Sequence, residues 1–185
     1  MLLRPLPPEA AALLDELGAP PRLVAHLRLV HDVAVQLTDW LGPGEYDREA
    51  VLFGAATHDI GKVVHPEELS RPGNLHEAAG HQLLLARGVP GDRARFAGTH
   101  GDWHRPGIQL GDLIVSLADK VWKAKRVPDL EQLVIATRGQ EPWRAFMELD
   151  DQIDRISVHA DARLAYQNQF SVSTPVPGNS PDIRS

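Results

Sequence analysis

The chain has 185 residues, a formal net charge of −6 and no cysteine. That length fits one domain with a sizeable core, and the acidic balance argues against a general nucleic-acid-binding surface. Without cysteine there can be no disulfide, no thiolate zinc site and no cysteine nucleophile, so metal ligands must come from His, Asp and Glu.

Apolar residues recur at helical spacing almost throughout, and the expected fold is all-α: a single helical domain over 1–170 followed by a disordered tail, 171–185, whose SVSTPVPGNSPDIRS is polar and rich in Pro and Gly. The opening MLLRPLPPEA lacks a basic start followed by a long apolar run. No segment reaches the roughly 18 apolar residues of a membrane span, so a cytoplasmic location and no membrane partner are expected.

In chain order, a short helix over 8–17 stops at Gly18. Pro20 and Pro21 start a long helix to about Leu41, since proline suits a first turn. Asp47 caps the next helix, which runs to His58 or Asp59. HPEELSRPGN is a loop, and Asn74 with Glu77 predicts a capped helix over 75–87 closed by Gly88. Further helices are predicted at about 91–100, 110–126, 129–138 and 141–169. The last carries Phe146, Leu149, Ile153, Ile156, Ala160 and Leu164 on one core-facing stripe.

Against this helical background the histidines stand out. There are nine, and six of them (His58, His65, His76, His81, His100 and His104) fall between 58 and 104. His26, His58, Asp59, His76, His100 and Asp119 each sit on or at the end of a predicted helix, where antiparallel helices can aim them into one pocket. A carboxylate has two oxygens and can bridge two metals, which makes Asp59 the natural bridge.

The segments AHLRLVHDVAVQL, FGAATHDIGK, LHEAAGHQLL, AGTHGDW and SLADKVWKAKR together resemble the HD-domain superfamily of metal-dependent phosphohydrolases, over about residues 20 to 126. HDIGK alone is a moderately specific match; the ordered set is a strong one. The family's first histidine has an apolar residue four on and a small one eight on. From His26 these are Val30 and Ala34; from His31 they are Val35 and Asp39, and the aspartate fits poorly. Five residues along a helix rotate a side chain by about 140°, so the two histidines cannot face one site. His26 is taken as the ligand, the alternative being a core His26 with His31 in its place.

The resemblance implies two divalent ions drawn from Fe, Mn, Ni, Co or Zn, one held by His26, His58, Asp59 and Asp119, the other by Asp59, His76 and His100. It also implies hydrolysis of a phosphoester or phosphoanhydride in a small phosphorylated substrate, a nucleotide foremost, with a metal-bridged hydroxide as nucleophile. Asp59 and Lys62 are the expected catalytic residues. Lys62, Lys123, Arg126 and His104 are the expected substrate-binding residues, with Asp119, Lys123 and Arg126 on one face of the 110–126 helix. Lys123 and Arg126 read equally well as cations at a helix C-terminus. A di-iron oxygenase and a non-catalytic nucleotide-binding module are the alternative functions. No nucleic-acid polymer is expected as a partner, and the oligomeric state is left open.

Overall fold

The computed structural model describes residues 2–172. The tail expected at 171–185 therefore lies, beyond Val172, outside the described residues. Among the described residues the regular structure is helical: α1 (Pro8–Glu16), α2 (Pro21–Leu41), α3 (Arg48–Thr57), α4 (Leu75–Ala86), α5 (Gly91–Ala94), α6 (Phe96–Thr99), α7 (Leu110–Val121), α8 (Pro128–Ala136), α9 (Pro142–Ser157) and α10 (Ala160–Asn168). Short 3-10 turns, Ile60–Val63 and Pro66–Leu69, fill the segment between α3 and α4. No helix among the described residues is long and apolar enough to cross a membrane.

The helix starts follow from the chemistry of the first turn. α1, α2, α8 and α9 each begin on a proline, whose missing N–H has no partner to lose there. α3 is capped by Asp47, which accepts from Ala50 N at 3.0 Å. α2 is the spine. Its Leu23 and Leu27 pack into a cluster with Leu13, Phe53, Ile60 and Leu84, while Val30, Val33 and Leu37 pack into a second cluster with Val51, Leu117, Leu130 and Ile153. His26 is carried between the two.

Several expected elements differ. The helix predicted over 110–126 ends at Val121, and Ala124 takes a left-handed φ of 58°. The segment 91–100 divides at Arg95 into α5 and α6, and 141–169 divides at Val158 and His159 into α9 and α10. Phe146 is exposed; the buried stripe of α9 is Ala145, Leu149, Ile153 and Ile156. Asn74 makes no side-chain cap on α4; that role is taken by Glu68, eight residues before His76. Arg163 of α10 is 1 % exposed and donates from Nη1 to Ile156 O at 2.7 Å and Trp122 O at 3.5 Å, so it joins the C-terminal ends of α9 and α7.

Candidate metal centre

The HD pair sits where α3 runs out. His58 is the C-cap of α3, and Asp59 precedes the 3-10 turn that redirects the chain. That turn must pack tightly on α4 to bring His76 close. It does so through two glycines: a Cβ on Gly61 would lie 2.0 Å from His76 O and 2.5 Å from Gly80 N. α2 supplies His26, the end of α6 supplies His100, and the last turn of α7 supplies Asp119.

The structure brings these six side chains together around the Asp59 carboxylate. His26 Nε2 lies 3.2 Å from Asp59 Oδ2, and His58 Nε2 lies 3.7 Å from the same oxygen. Asp119 Oδ1 stands 3.4 Å from His26 Nε2 and 3.5 Å from His58 Nε2. The other oxygen, Asp59 Oδ1, faces His76 Nε2 at 3.0 Å and His100 Nε2 at 3.5 Å. Donor atoms of His26, His58 and Asp59 lie within 4.8 Å of one another, as do those of Asp59, His76 and His100.

Tautomers sharpen this geometry. A backbone carbonyl only accepts, so His58 donates from Nδ1 to Ala55 O at 3.0 Å, and His100 donates from Nδ1 to Ala97 O at 3.1 Å. In their neutral forms both rings then present a bare Nε2 to the centre. His58 Nε2 is fully buried with no hydrogen-bond partner among the described residues. Lone pairs and carboxylate oxygens thus face one another across a shielded space, an arrangement that needs protons or cations between them. Metal bonds of about 2.0–2.2 Å place neighbouring ligand atoms about 3.0–3.5 Å apart, close to the separations seen here. The residues fit divalent ions.

Protons meet part of that need in the metal-free chain. Burial opposes charge on His26, but hydrogen bonds to Asp119 and Asp59 outweigh it and raise the pKa. His76 behaves alike: burial lowers it, while Asp59 and Glu68 raise it above the usual imidazole range. For His58 burial wins and the pKa falls. Burial would raise the two aspartates, yet the surrounding imidazoles hold Asp59 and Asp119 well below the carboxylate range.

His31, the competitor of His26, is buried on another face of α2, with its Nδ1 unpartnered. Lys62 reaches the centre: its ammonium lies 2.5 Å from Asp59 Oδ2. The other expected cations do not gather there. Because α7 stops at Val121, the shared face of Asp119, Lys123 and Arg126 does not form. Arg126 instead pairs with Glu131 and Asp150, each at 2.8 Å. Lys123 is exposed, 5.6 Å from the Trp122 ring. His104 is 63 % exposed at its side chain and pairs with Asp129 at 2.9 Å, an oxygen it shares with the Trp103 indole N–H.

Three contributors lie outside the expected site residues. Lys120 pairs with Asp119 Oδ2 at 2.7 Å, placing a second ammonium on the rim, where Asp119 is 16 % exposed. Trp122 packs edge-on against His26, with ring centroids 5.2 Å apart. Glu68 meets His76 Nδ1 at 2.5 Å. Lys120 could have been noticed as the cation adjacent to Asp119; nothing in PEEL marks Glu68. Cavities of about 480 Å³ beside α1 and about 610 Å³ beside Tyr46 are lined by none of the six ligand candidates.

No curated protein and no solved structure matches the chain. The family model described as HD domain matches residues 23–122, a span that runs from α2 through His58, Asp59, His76 and His100 to Asp119 and takes in more than half of the chain. By that match, and by the His and Asp groups assembled within it, this chain belongs to the HD-domain family.

Proposed function

We propose that the chain is a metal-dependent phosphohydrolase that cleaves a phosphoester or phosphoanhydride bond in a small phosphorylated compound, a nucleotide foremost. The observation that supports it best is the division of Asp59: Oδ2 faces His26 and His58, Oδ1 faces His76 and His100, and each oxygen has its own imidazoles. His26, His58, Asp59 and Asp119 would hold one divalent ion, and Asp59, His76 and His100 another. Such ions, when bound, activate water near neutral pH and draw charge from phosphoryl oxygens.

The chain's own groups account for the rest. Lys62 and Lys120, set on Asp59 and Asp119, offer ammonium groups to the oxygens of an incoming phosphate. The buried imidazoles keep bulk water from the centre and fix the carboxylates in place. Water adds to phosphorus, the leaving oxygen departs with a proton, and no side-chain nucleophile is required.

The test is phosphate release from a panel of nucleotides, dinucleotides and sugar phosphates, with Mn, Co, Ni or Mg added, under argon and in air, beside Asp59→Ala. Turnover under argon that Asp59→Ala abolishes is the expected result. Silence across the panel by protein that binds metal would reject a hydrolase.

A further inference from the structure

The two halves of the centre are unequal. On the Oδ2 side, His26 and His58 are joined by a second carboxylate, Asp119. On the Oδ1 side, His76 and His100 share only the one oxygen of Asp59. A divalent ion held by two neutral rings and a shared carboxylate oxygen would be the less compensated of the two.

The missing charge stands behind the His76 ring. Glu68, on the turn Pro66–Leu69, is 8 % exposed and accepts from Leu75 N at 3.0 Å, His76 N at 3.1 Å and His76 Nδ1 at 2.5 Å. His58 and His100, by contrast, rest their Nδ1–H groups on neutral backbone carbonyls. Gly73 leaves the space: a Cβ there would lie 2.1 Å from Glu68 Oε1. Capping α4 does not by itself call for this residue. Asn74 occupies the cap position, has a suitable side chain and does not use it. A carboxylate was brought from a separate turn and buried, a costly choice unless its charge is used. Accepting from Nδ1 fixes the ring with Nε2 toward Asp59 and makes that nitrogen a stronger donor to a cation.

We propose that Glu68 is the positioning residue that sets whether the His76–His100 half of the centre takes up its ion, doing through the His76 ring what Asp119 does directly in the other half. The proposal rests on the metal-dependent reading above. Mn(II) is titrated into metal-free wild type, Glu68→Gln and Glu68→Ala, with heat and the EPR signal of free Mn(II) both recorded. Gln keeps the shape but only one acceptor oxygen, so it removes the charge and keeps the cap in part: with that oxygen on His76 N and Nδ1, its NH2 stands against Leu75 N–H.

Wild type should bind two ions. Glu68→Gln should keep one at unchanged affinity and bind the other about 10-fold more weakly, and Glu68→Ala about 100-fold more weakly, the range over which such outer partners act. Two ions at wild-type affinity in Glu68→Gln would overturn the proposal alone, as would equal weakening of both, which a loosened fold would produce. A wild type that binds no Mn(II) would overturn the metal-dependent reading and the proposal with it. Should metal-free Glu68→Gln melt far below wild type, Glu68→Asp, which keeps the charge, decides: retention of the second ion within about tenfold supports the role, and its loss overturns it.

Discussion

Gly61→Ala is the substitution through which backbone packing can be made to report on the centre. The added Cβ would sit 2.0 Å from His76 O, whereas real Cβ atoms keep at least 3.0 Å. The 3-10 turn and α4 must therefore part by about 1 Å, since both neighbours, His76 O and Gly80 N, are backbone. His76 Nε2 is 3.0 Å from Asp59 Oδ1. Opening that gap by about 1 Å carries it past the roughly 3.4 Å that neighbouring ligands of a tetrahedral ion with bonds of about 2.1 Å keep. The expected outcome is loss of the ion shared by Asp59, His76 and His100, retention of the ion shared with His26, and phosphate release reduced about 100-fold. Overpacking should also cost about 1–3 kcal/mol of stability. Metal content by mass spectrometry and phosphate release are read beside Gly91→Ala, whose added Cβ meets only Leu85 at 4.0 Å. Two ions and activity within about twofold of wild type in Gly61→Ala would refute the reasoning.

His31 and Arg126 supply two more tests. Burial lowers the His31 pKa from 6.5 to about 4. Well above pH 6.5 the ring is neutral in both states and contributes nothing; as pH falls toward 4 the unfolded chain takes up a proton that the folded chain does not. Folding should weaken by about 2 kcal/mol at pH 5 on this account, and His31→Leu should flatten the slope of urea-melt stability between pH 7.5 and 5 by that amount. An unchanged slope would reject it. Arg126→Gln strips a partner from buried Glu131, leaving it the Val127 N–H. A stability loss of about 1–3 kcal/mol with KM for the phosphorylated substrate unchanged is expected, and a tenfold rise in KM at unchanged stability would return Arg126 to the substrate.

Donor order was legible where chemistry and helix geometry agree. The rotation over five helical residues meant that only one of His26 and His31 could face a site, and the family spacing through Val30 and Ala34 chose His26; the structure sets His26 against Asp59 and leaves His31 on another face. Pro20 and Pro21 announced the start of α2. What was hidden depends on the path of irregular chain. Glu68 meets His76 only because two 3-10 turns fold the loop back. Arg126 was placed on the face of Asp119 by extending α7 through Ala124, and no side-chain signal marks an alanine that will adopt φ 58°. Arg163 lies between Ala162 and Leu164, and its charge argues for the surface; two helix ends share its guanidinium, a long-range demand that helical periodicity does not carry.

That arginine has a consequence for where the working unit ends. The matched span closes at Trp122, yet the carbonyl of Trp122 and the end of α9 are held by a side chain some forty positions later. A chain cut to 23–122 would keep all six candidate ligands and lose the clasp on the helix that presents Asp119, along with α8 and α9, which cover that helix's apolar face. The smallest piece able to keep the proposed centre should therefore extend through α10.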